Sequence, residues 1–447
     1  MLRDGERHPA RTHLPGGRTA RHGSSYGMTT TFDVVVVGAG PAGMAAATAA
    51  AKHRAEVCLI DDNAKLGGQI WRGSDDHQDQ RFAAHLNDLE AAGVDLRRES
   101  RVVAHPASNV LRVETLTGFE DIGYRRLILA TGARERFLPF PGWTLQGVMG
   151  VGGIQAIVKA GLPIEGKRVV LSGSGPLLLA VAAALARKGA QILGIFEQAS
   201  AARVAAFGVQ LLRFPGKLRE GAAYRAAARE APYRTGAWVV EAHGDRSLRS
   251  VTVAVNGAVR AIECDYLGCG FHLVPNLELP RLLQCQVRAG YVEVNDTQET
   301  SLRGIFCAGE PTGIGGLDKA LCEGEIAGLV CAGQAGAHLF KRRDRQNRFA
   351  QQLDRAFALR PELKELAAPD TFVCRCEDVR RRALESMFSW REAKLHTRCG
   401  MGPCQGRICG PATEFLFGWN SEHARPPVYP ARVSTIACAV EVSRDKG

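Results

Sequence analysis

Five of the thirteen cysteines lie within residues 374–409, at spacings that metal ligands adopt. Cys374 and Cys376 form a CxC pair, and Cys404 and Cys409 form a CxxxxC pair after a gap of 27 residues. Two thiolate pairs suit either zinc or a [2Fe–2S] cluster on ligand number alone. Zinc fingers usually use CxxC-like spacing. The C-terminal part of the chain is therefore expected to hold a metal ion or a cluster.

A glycine-rich turn near the N-terminus has the pattern of a dinucleotide site. The apolar run at 32–37 is typical of a buried parallel strand, and it leads directly into a GxGxxG sequence. Gly38 permits the tight turn, Gly40 lets the backbone approach a pyrophosphate, and Gly43 allows close packing of helix on strand. The following helix would present unpaired N–H groups to the phosphates. A second apolar strand ends in an acidic pair, and Asp62 stands nineteen residues past Gly43, where a ribose-binding carboxylate is expected.

The same pattern recurs in the middle of the chain with one defect. The sequence RVVLSGSGPLL at 168–178 repeats the strand, the glycine turn and the start of a helix, and the next strand ends at Glu197. Leu178 stands where the third glycine is expected, which weakens the close approach of helix and strand. Two interpretations stay open. The region either binds a second nucleotide, NAD or an ATP-like molecule, at Gly173, Gly175 and Glu197, or is a domain kept for structure.

The elements that must position these motifs are those of a large α/β protein. The chain has 447 residues, of which 45% are hydrophobic and 23% charged, enough for two to four domains at roughly 100–200 residues each. Strands alternate with helical patterns as far as residue 330, which indicates parallel sheets. The cysteines outside the cluster lie singly in apolar stretches, which favours a reducing compartment. Disordered chains and small disulfide scaffolds are excluded.

The formal charge of +11 does not indicate a nucleic-acid partner. Beyond the basic triplets at 341–343 and 380–382 the sequence has no dense run of like charge, so no nucleic-acid partner is expected. The uncharged stretch at 169–186 has the length of a membrane span but contains a Gly-Ser-Gly-Pro turn, which indicates a strand followed by a helix. Residues 1–27 lack periodicity and are predicted to be a disordered tail upstream of the true start at Met28.

Four motifs in order resemble the flavoproteins with two dinucleotide-binding domains. The GxGxxG turn is followed by GGQ at 67–69, an ATG turn at 130–132 and the strand GIFCAGE at 304–310. In that family the final acid, usually Asp where this chain has Glu310, hydrogen-bonds the ribityl chain of FAD. The resemblance implies FAD contacts from the following residues: Gly38, Gly40, Pro41, Ala42, Gly43, Asp62, Gly68, Gln69, Arg72, Thr131, Gly132, Gly309, Glu310 and Gly316. The redox cysteine pair of the disulfide reductases is missing, so the resemblance extends to their fold and not to their chemistry.

The cysteine region resembles the [2Fe–2S] domain of the bacterioferritin-associated ferredoxin type. The segments CRCE and GMGPCQGRICG carry the resemblance, which implies a [2Fe–2S] cluster rather than zinc. It also implies four ligands and a fifth cysteine, Cys399, as a bystander. The implied ligands are Cys374, Cys376, Cys404 and Cys409.

Over about 28–430 the chain is similar to the FAD- and [2Fe–2S]-containing subunits of multisubunit amine and amino-acid dehydrogenases. The segments GGQIWR at 67–72 and FPGWTLQGVMGVGG at 140–153 add to this resemblance. The family includes the corresponding subunits of opine oxidase, D-hydroxyproline dehydrogenase and hydrogen cyanide synthase. It implies an oxidoreductase subunit that carries electrons to an acceptor from a catalytic partner, a flavoprotein resembling D-amino-acid oxidases. A small 2Fe–2S subunit is a further implied partner.

The same resemblance implies a location in the cell and a division of the chain into regions, but it does not identify the catalytic residues. The catalytic residues are unknown from the sequence, since His272 and His396 are single histidines without visible acid–base partners. Two alternatives stay open: a stand-alone NAD(P)H-dependent FAD reductase, and a non-catalytic electron-carrier or assembly subunit. The expected location is cytoplasmic, at the inner face of the membrane through the complex. The predicted regions are 1–27 (tail), 28–160 with 270–340 (FAD-binding), 161–269 (second nucleotide-binding-like), 341–369 (helical linker) and 370–447 ([2Fe–2S] domain and tail).

Overall fold

The computed structural model describes residues 29–71, 80–420 and 424–437. Its first elements are β1 (Thr30–Val37), α1 (Pro41–Lys52), β2 (Val57–Ile60), α2 (Gly68–Trp71), α3 (Gln80–Ala91), β3 (Asp95–Arg97), β4 (Arg101–Ala107), β5 (Val110–Glu114), β6 (Phe119–Leu129) and β7 (Ala133–Glu135). The middle elements are β8 (Val148–Gly150), α4 (Val151–Lys159), β9 (Arg168–Ser174), α5 (Leu177–Arg187), β10 (Gln191–Glu197), α6 (Ala201–Leu211), α7 (Pro215–Ala227), β11 (Tyr233–Thr235), β12 (Ala237–His243), β13 (Ser250–Val255), β14 (Ala258–Glu263) and β15 (Tyr266–Phe271). The last elements are β16 (Leu273–Pro275), α8 (Glu278–Leu282), β17 (Val287–Arg288), β18 (Tyr291–Val292), β19 (Ile305–Cys307), α9 (Leu317–Cys331), α10 (Phe340–Ala356), β20 (Phe372–Cys374), β21 (Val379–Arg380), α11 (Trp390–Thr397), α12 (Cys409–Phe417) and α13 (Val433–Ala437).

The first sheet has seven strands and carries the first glycine turn. Its order is β3-β2-β1-β6-β5-β4, and β19 pairs with the end of β6. The pairs β1–β2, β2–β3, β1–β6 and β6–β19 are parallel. The pairs β4–β5 and β5–β6 are antiparallel. Val34, Val35 and Val36 are completely buried, as expected for a central parallel strand with both faces covered. The carboxyl ends of β1, β2, β6 and β19 therefore meet at one edge, where ligands bind in such sheets.

Helix α1 is buried from Pro41 to Ala50 because α9 packs along it. Alanines dominate the contact, and the two helices share a core with β1, β2 and the end of β6. Gly324 of α9 lies against Ala42 of α1, so the first two turns of α9 extend past the start of α1 at the carboxyl edge of the first sheet. Both turns that precede these helices are thereby brought to one side of the sheet.

The second sheet is parallel and has the order β11-β10-β9-β15-β8. Helices α4 and α5 cover one face, and the antiparallel strands β12, β13 and β14 cover the other. The uncharged stretch at 169–186 forms β9 and most of α5, as predicted. In the part of the chain that the structure describes, no helix is long and apolar enough to cross a membrane. Strand β8 and helix α4 pair and pack with this sheet, although the predicted boundary at 160 assigns them to the FAD-binding region.

The C-terminal part consists of a linker helix and a small module. Helix α10 packs against α6 and α9. A short 3₁₀ helix at Pro361–Glu365 lies between α10 and the module. The module has its own core, built from β20, β21, α11 and α12 around Trp390 and the buried cysteines. The predicted fold class, two nucleotide-binding-like α/β sheets followed by a small cysteine-bearing module, is confirmed. The predicted tail at 1–27 lies outside the described residues.

Candidate cofactor sites

The first glycine turn is closed by the GGQ segment. The Gly67 N–H donates to the Ala39 carbonyl at 2.8 Å, and a Cβ on Gly68 would lie only 2.9 Å from the Gly40 Cα. Gly68 has a φ of +60°, a conformation that glycine adopts without strain. Two stretches of backbone without side chains therefore face each other beside the start of α1. This arrangement suits a pyrophosphate that must approach backbone N–H groups closely.

Asp61 is buried against the first glycine turn, whereas Asp62, the predicted ribose-binding acid, is exposed. Asp61 is 9% exposed, and its carboxylate accepts hydrogen bonds from the Ala39 N–H at 2.6 Å and the Asn63 N–H at 2.8 Å. The Asp62 side chain is 42% exposed and lies 3.5 Å from Arg101. The expected spacing between the glycine turn and the ribose-binding acid cannot distinguish two adjacent aspartates. The strand register distinguishes them, because Asp61 is the first residue beyond β2 and directly follows the Val37–Ile60 pair.

Glu310 carries a buried oxygen without a donor. It follows β19, and its Oε1 accepts the Gly316 N–H at 2.9 Å at the start of α9. Its Oε2 is buried and has no hydrogen-bond partner among the described residues. Burial raises the pKa of Glu310. An unpaired buried acceptor is costly unless a ligand pairs with it, and the hydroxyls of a ribityl chain are suitable donors. The residues present therefore fit FAD, with glutamate in place of the usual aspartate.

The remaining predicted FAD contacts fall into three groups. Thr131 and Gly132 follow β6 and are bonded to Asn276, whose Nδ2 donates to the Thr131 carbonyl at 2.8 Å. Gly309 lies beside α1, since a Cβ there would be 2.9 Å from the Ala42 Cβ. Gln69 is exposed on α2, and Arg72 lies outside the described residues.

Two residues at this site were missed by sequence reasoning. Lys319 and Glu323 on α9 are each 2% exposed and form an ion pair at 2.8 Å. The Lys319 Nζ also donates to the Gly309 carbonyl and to the Thr312 Oγ1, while Glu323 accepts the Gly309 N–H. The pair fixes the turn that carries Glu310. A lysine and a glutamate four residues apart, on a helix that is mostly apolar apart from Asp318 and Glu325, are the signal that could have indicated it.

The second glycine turn is covered by the chain itself. The Ser174 Oγ donates to the Phe357 carbonyl at 2.9 Å, and the Gln198 Nε2 donates to the same carbonyl at 3.3 Å. The Arg360 N–H in turn donates to the Gln198 Oε1 at 3.1 Å. Phe357 is 3% exposed and packs on Phe207 with ring centroids 5.2 Å apart. Residues 357–360 thus lie across the edge where a dinucleotide would bind in this sheet.

Glu197 corresponds to Asp61 by register but is completely buried under this segment. It pairs with Gly173 in the sheet, and its carboxylate accepts hydrogen bonds from the Gly175 N–H at 2.7 Å and the Ala199 N–H at 2.8 Å. Burial outweighs these hydrogen bonds and raises the pKa of Glu197 from 4.5 to about 7. The predicted second-site residues Gly173, Gly175 and Glu197 are brought together, but they face the chain's own backbone.

The raised pKa of Glu197 predicts a pH-dependent stability. Between pH 4.5 and about 7 the unfolded chain releases the proton while the folded chain keeps it, so the free energy of unfolding falls as the pH rises. The expected loss is about 3 kcal/mol, at 1.36 kcal/mol per pKa unit, and it levels off above pH 7. Urea unfolding of the wild type and of Glu197→Gln across this range checks the prediction. The free energy of unfolding of Glu197→Gln should lack this fall with pH, whereas Glu241→Gln, at an exposed position, should keep it. An equal dependence of the free energy of unfolding on pH in all three proteins would contradict the prediction.

The cysteines of the module form a group of three and a pair. The sulfurs of Cys374, Cys399 and Cys409 are buried and lie within 4.8 Å of one another. The thiols of Cys399 and Cys409 lower the pKa of Cys374 to about 2 by hydrogen bonding to its sulfur. Cys376 lies within hydrogen-bonding reach of the N–H and the thiol of Cys404. The same hydrogen bonds raise the pKa of the Cys399 and Cys409 thiols, so Cys374 is the member of the group held as a thiolate, the form that binds metals.

This grouping fits a cluster with one qualification. A [2Fe–2S] cluster needs two pairs of cysteines, and the structure brings Cys374 next to Cys409 and Cys376 next to Cys404. Cys399, predicted as a bystander, lies inside the buried group. Glycines lie on both sides of Cys404 in the sequence, so backbone N–H groups can approach the sulfurs of Cys376 and Cys404 closely.

Four further residues with reactive side chains lie in different environments. Cys264 and Cys269 are completely buried, and burial raises the pKa of both thiols. His272 lies 3.3 Å from Asp354, a partner that the sequence did not reveal, and His396 is exposed on α11.

Comparison with known proteins gives a consistent family. The family model of the pyridine nucleotide-disulphide oxidoreductases matches residues 32–336. The chain is 33% identical over 418 residues to the hydrogen cyanide synthase protein HcnB of Pseudomonas aeruginosa, covering 84% of this chain and 90% of that protein. It is 30% identical over 462 aligned positions to a subunit of opine oxidase from Rhizobium meliloti, covering 92% and 99%.

Solved structures with less than 25% identity support the fold alone. L-proline dehydrogenase from P. horikoshii superposes with a TM-score of 0.64 and 16% identity over 92% of this chain and 80% of that chain. Thioredoxin reductase from T. acidophilum has a TM-score of 0.54 and 20% identity, over 68% and 98%. The chain therefore belongs to the pyridine nucleotide-disulphide oxidoreductase family, as a flavoprotein oxidoreductase subunit related to HcnB of hydrogen cyanide synthase and to its counterpart in opine oxidase.

Proposed function

We propose that the chain is the FAD- and [2Fe–2S]-containing electron-transfer subunit of a hetero-oligomeric dehydrogenase of a secondary amine or amino acid. An opine, hydroxyproline, proline or glycine is the candidate substrate. The observation that carries the proposal is the presence of two prepared cofactor sites in one chain. The first is the glycine turn with the unpaired Glu310 Oε2, and the second is the buried cysteine group.

In this proposal each part of the site has a defined task. The backbone at 38–43 would bind the pyrophosphate, Asp61 the adenosine ribose and Glu310 the ribityl chain. Cys374, Cys376, Cys404 and Cys409 would hold the cluster. When bound, FAD takes up electrons in pairs and a [2Fe–2S] cluster passes them on singly. Lys319 and Glu323 keep Glu310 in place, so that its free oxygen stays directed at the ligand.

The amine-oxidising site would lie in a partner flavoprotein similar to D-amino-acid oxidases, with a small 2Fe–2S protein as a third component. The support is that the relatives are named as subunits. Residues 357–360 cover the second glycine turn, so we propose that this domain is kept for structure and holds neither NAD nor an ATP-like nucleotide.

The proposal is tested by purifying the chain alone and together with a candidate partner flavoprotein similar to D-amino-acid oxidases. We expect the chain alone to contain FAD and iron but to leave amines unoxidised, and the complex to reduce a dye with one of the candidate substrates. NADH should not bleach the flavin of the isolated chain, because Phe357 and Arg360 occupy the edge that a nicotinamide nucleotide needs. Amine oxidation by the isolated chain would contradict the proposal. Rapid bleaching by NADH would favour a stand-alone reductase.

A further inference from the structure

We propose that Arg134 is a positioning residue that fixes the cysteine loop at 404–409 against the turn at Thr131 and Gly132. The inference rests on the proposed function, since it concerns the geometry between the proposed flavin site and the proposed cluster. The contact is not assigned by any motif, because its members come from three distant parts of the chain, 131–134, 276–278 and 404–409.

The turn is held first by Asn276. The Asn276 N–H donates to the Gly132 carbonyl at 3.0 Å, and its Nδ2 donates to the Thr131 carbonyl at 2.8 Å. The Thr131 Oγ1 returns a hydrogen bond to the Asn276 carbonyl at 2.8 Å. Three hydrogen bonds between two short segments leave the turn little freedom relative to Asn276.

Arg134 connects Asn276 to the cysteine loop. Its Nη1 donates to the Asn276 Oδ1 at 2.6 Å and lies 2.9 Å from the Glu278 Oε1. Its Nε donates to the backbone carbonyl of Arg407 at 3.1 Å. A guanidinium can serve these partners at once because its donors point in fixed directions. The side chains of Arg134 and Glu278 are 24% and 23% exposed, so water screens the contact only in part.

Arg407 completes the connection from inside the loop. It stands between Cys404 and Cys409, and its Nη1 donates to the Cys404 carbonyl at 3.3 Å. Its guanidinium also lies 3.7 Å from Glu278 and 4.0 Å from the centre of the Tyr429 ring. A continuous series of hydrogen bonds therefore runs from Thr131 to a predicted cluster ligand.

Other contacts hold the module independently of Arg134. The Trp143 Nε1 donates to the Phe372 carbonyl at 2.6 Å, and the Val428 N–H donates to the Val103 carbonyl at 2.9 Å. Arg432 binds Glu114 on β5 through its backbone and side chain. Loss of Arg134 should consequently loosen the cysteine loop while the module stays attached.

The test compares Arg134→Ala and Arg134→Lys with Arg432→Ala in the full chain. Hydrogen–deuterium exchange of the peptide spanning 404–409 should rise about tenfold in Arg134→Ala, as expected when hydrogen bonds to a charged group are lost. Lysine can keep the ion pair with Glu278 but has no Nε–H for the Arg407 carbonyl, so Arg134→Lys should also exchange faster. The control Arg432→Ala removes contacts between the C-terminal segment at 424–437 and Glu114, none of them with residues 404–409, so exchange of the loop should match the wild type.

A second readout separates positioning from a general loss of stability. After light-driven reduction of the flavin, the rate at which the cluster absorbance bleaches should fall in both Arg134 variants, with flavin and iron contents unchanged. Unchanged exchange of the loop, an unchanged bleaching rate, or wild-type behaviour of Arg134→Lys would overturn the inference. A wild-type protein without flavin or cluster would instead contradict the proposed function, and the exchange measurement would still decide the role of Arg134.

Discussion

Replacing Gly40 by alanine is expected to weaken FAD binding strongly while leaving the FAD-free protein folded. Gly40 has φ −74° and ψ −177°, an extended conformation open to alanine, and a Cβ there would come no closer than 3.8 Å to any atom of the protein. The methyl group would therefore project into the space between the glycine turn and its ligand. We expect the affinity for FAD to fall by about a hundredfold, the equivalent of roughly 3 kcal/mol.

Gly43→Ala is the matched variant, because it fails for a different reason. A Cβ at Gly43 would lie 1.7 Å from the Gly38 carbonyl oxygen, so helix α1 would have to move away from the turn. Overpacking of this kind costs about 1–3 kcal/mol or more, and it should lower the urea midpoint of the FAD-free protein. Titration with FAD and urea unfolding of both variants check the pair. A Gly40→Ala protein that retains flavin through purification would contradict the assignment of this turn.

The parts of the fold that were predictable are those set by local pattern. The valine run of β1 is buried on both faces, and such a run followed by glycines and helix formers has few other structures available. The uncharged stretch at 169–186 is predictable as a strand and a helix because its Gly-Ser-Gly-Pro turn cannot continue a helix.

Features set by register or by distant contacts were not predictable from spacing. Asp61 and Asp62 have the same type and nearly the same position, and only the pairing of β1 with β2 makes Asp61 the buried one. Phe357 lies 183 residues from Ser174, to which its carbonyl is bonded. The sequence between them gives no sign of the contact, because it depends on where α10 packs.

Comparison of the two glycine turns gives a physical reason for their different roles. Asp61 and Glu197 occupy equivalent positions at the carboxyl ends of β2 and β10, and each accepts hydrogen bonds from two backbone N–H groups. At the first turn a bare acceptor, the Glu310 Oε2, remains buried nearby. At the second turn Phe357 and its neighbours have already supplied the packing and hydrogen bonds that a ligand would supply. One fold thus offers one site prepared for a cofactor and one that its own chain covers.

Cys404→Ser is expected to remove the iron and the visible absorption of the cluster, whereas Cys399→Ser should keep both. Cys404 is paired with Cys376, and a [2Fe–2S] cluster that loses one of its four thiolates is no longer held at one iron. Cys399 contributes a thiol that hydrogen-bonds the Cys374 sulfur, and a serine hydroxyl can make the same hydrogen bond. Iron analysis, visible spectra and electron paramagnetic resonance of the two variants provide the measurement.

The opposite result has an equally definite meaning, because the buried group of three defines a competing site. Cys374, Cys399 and Cys409 lie close enough together to ligate a single ion, in the way that structural zinc is bound by thiolates. If Cys399→Ser lost its metal while Cys376→Ser and Cys404→Ser retained it, the site would be mononuclear and the paired ligand set would be wrong. Zinc in place of iron in the wild-type protein would point the same way. The Cys399 variant therefore distinguishes the two arrangements. Both use Cys374 and Cys409 as ligands, but only the mononuclear site uses Cys399.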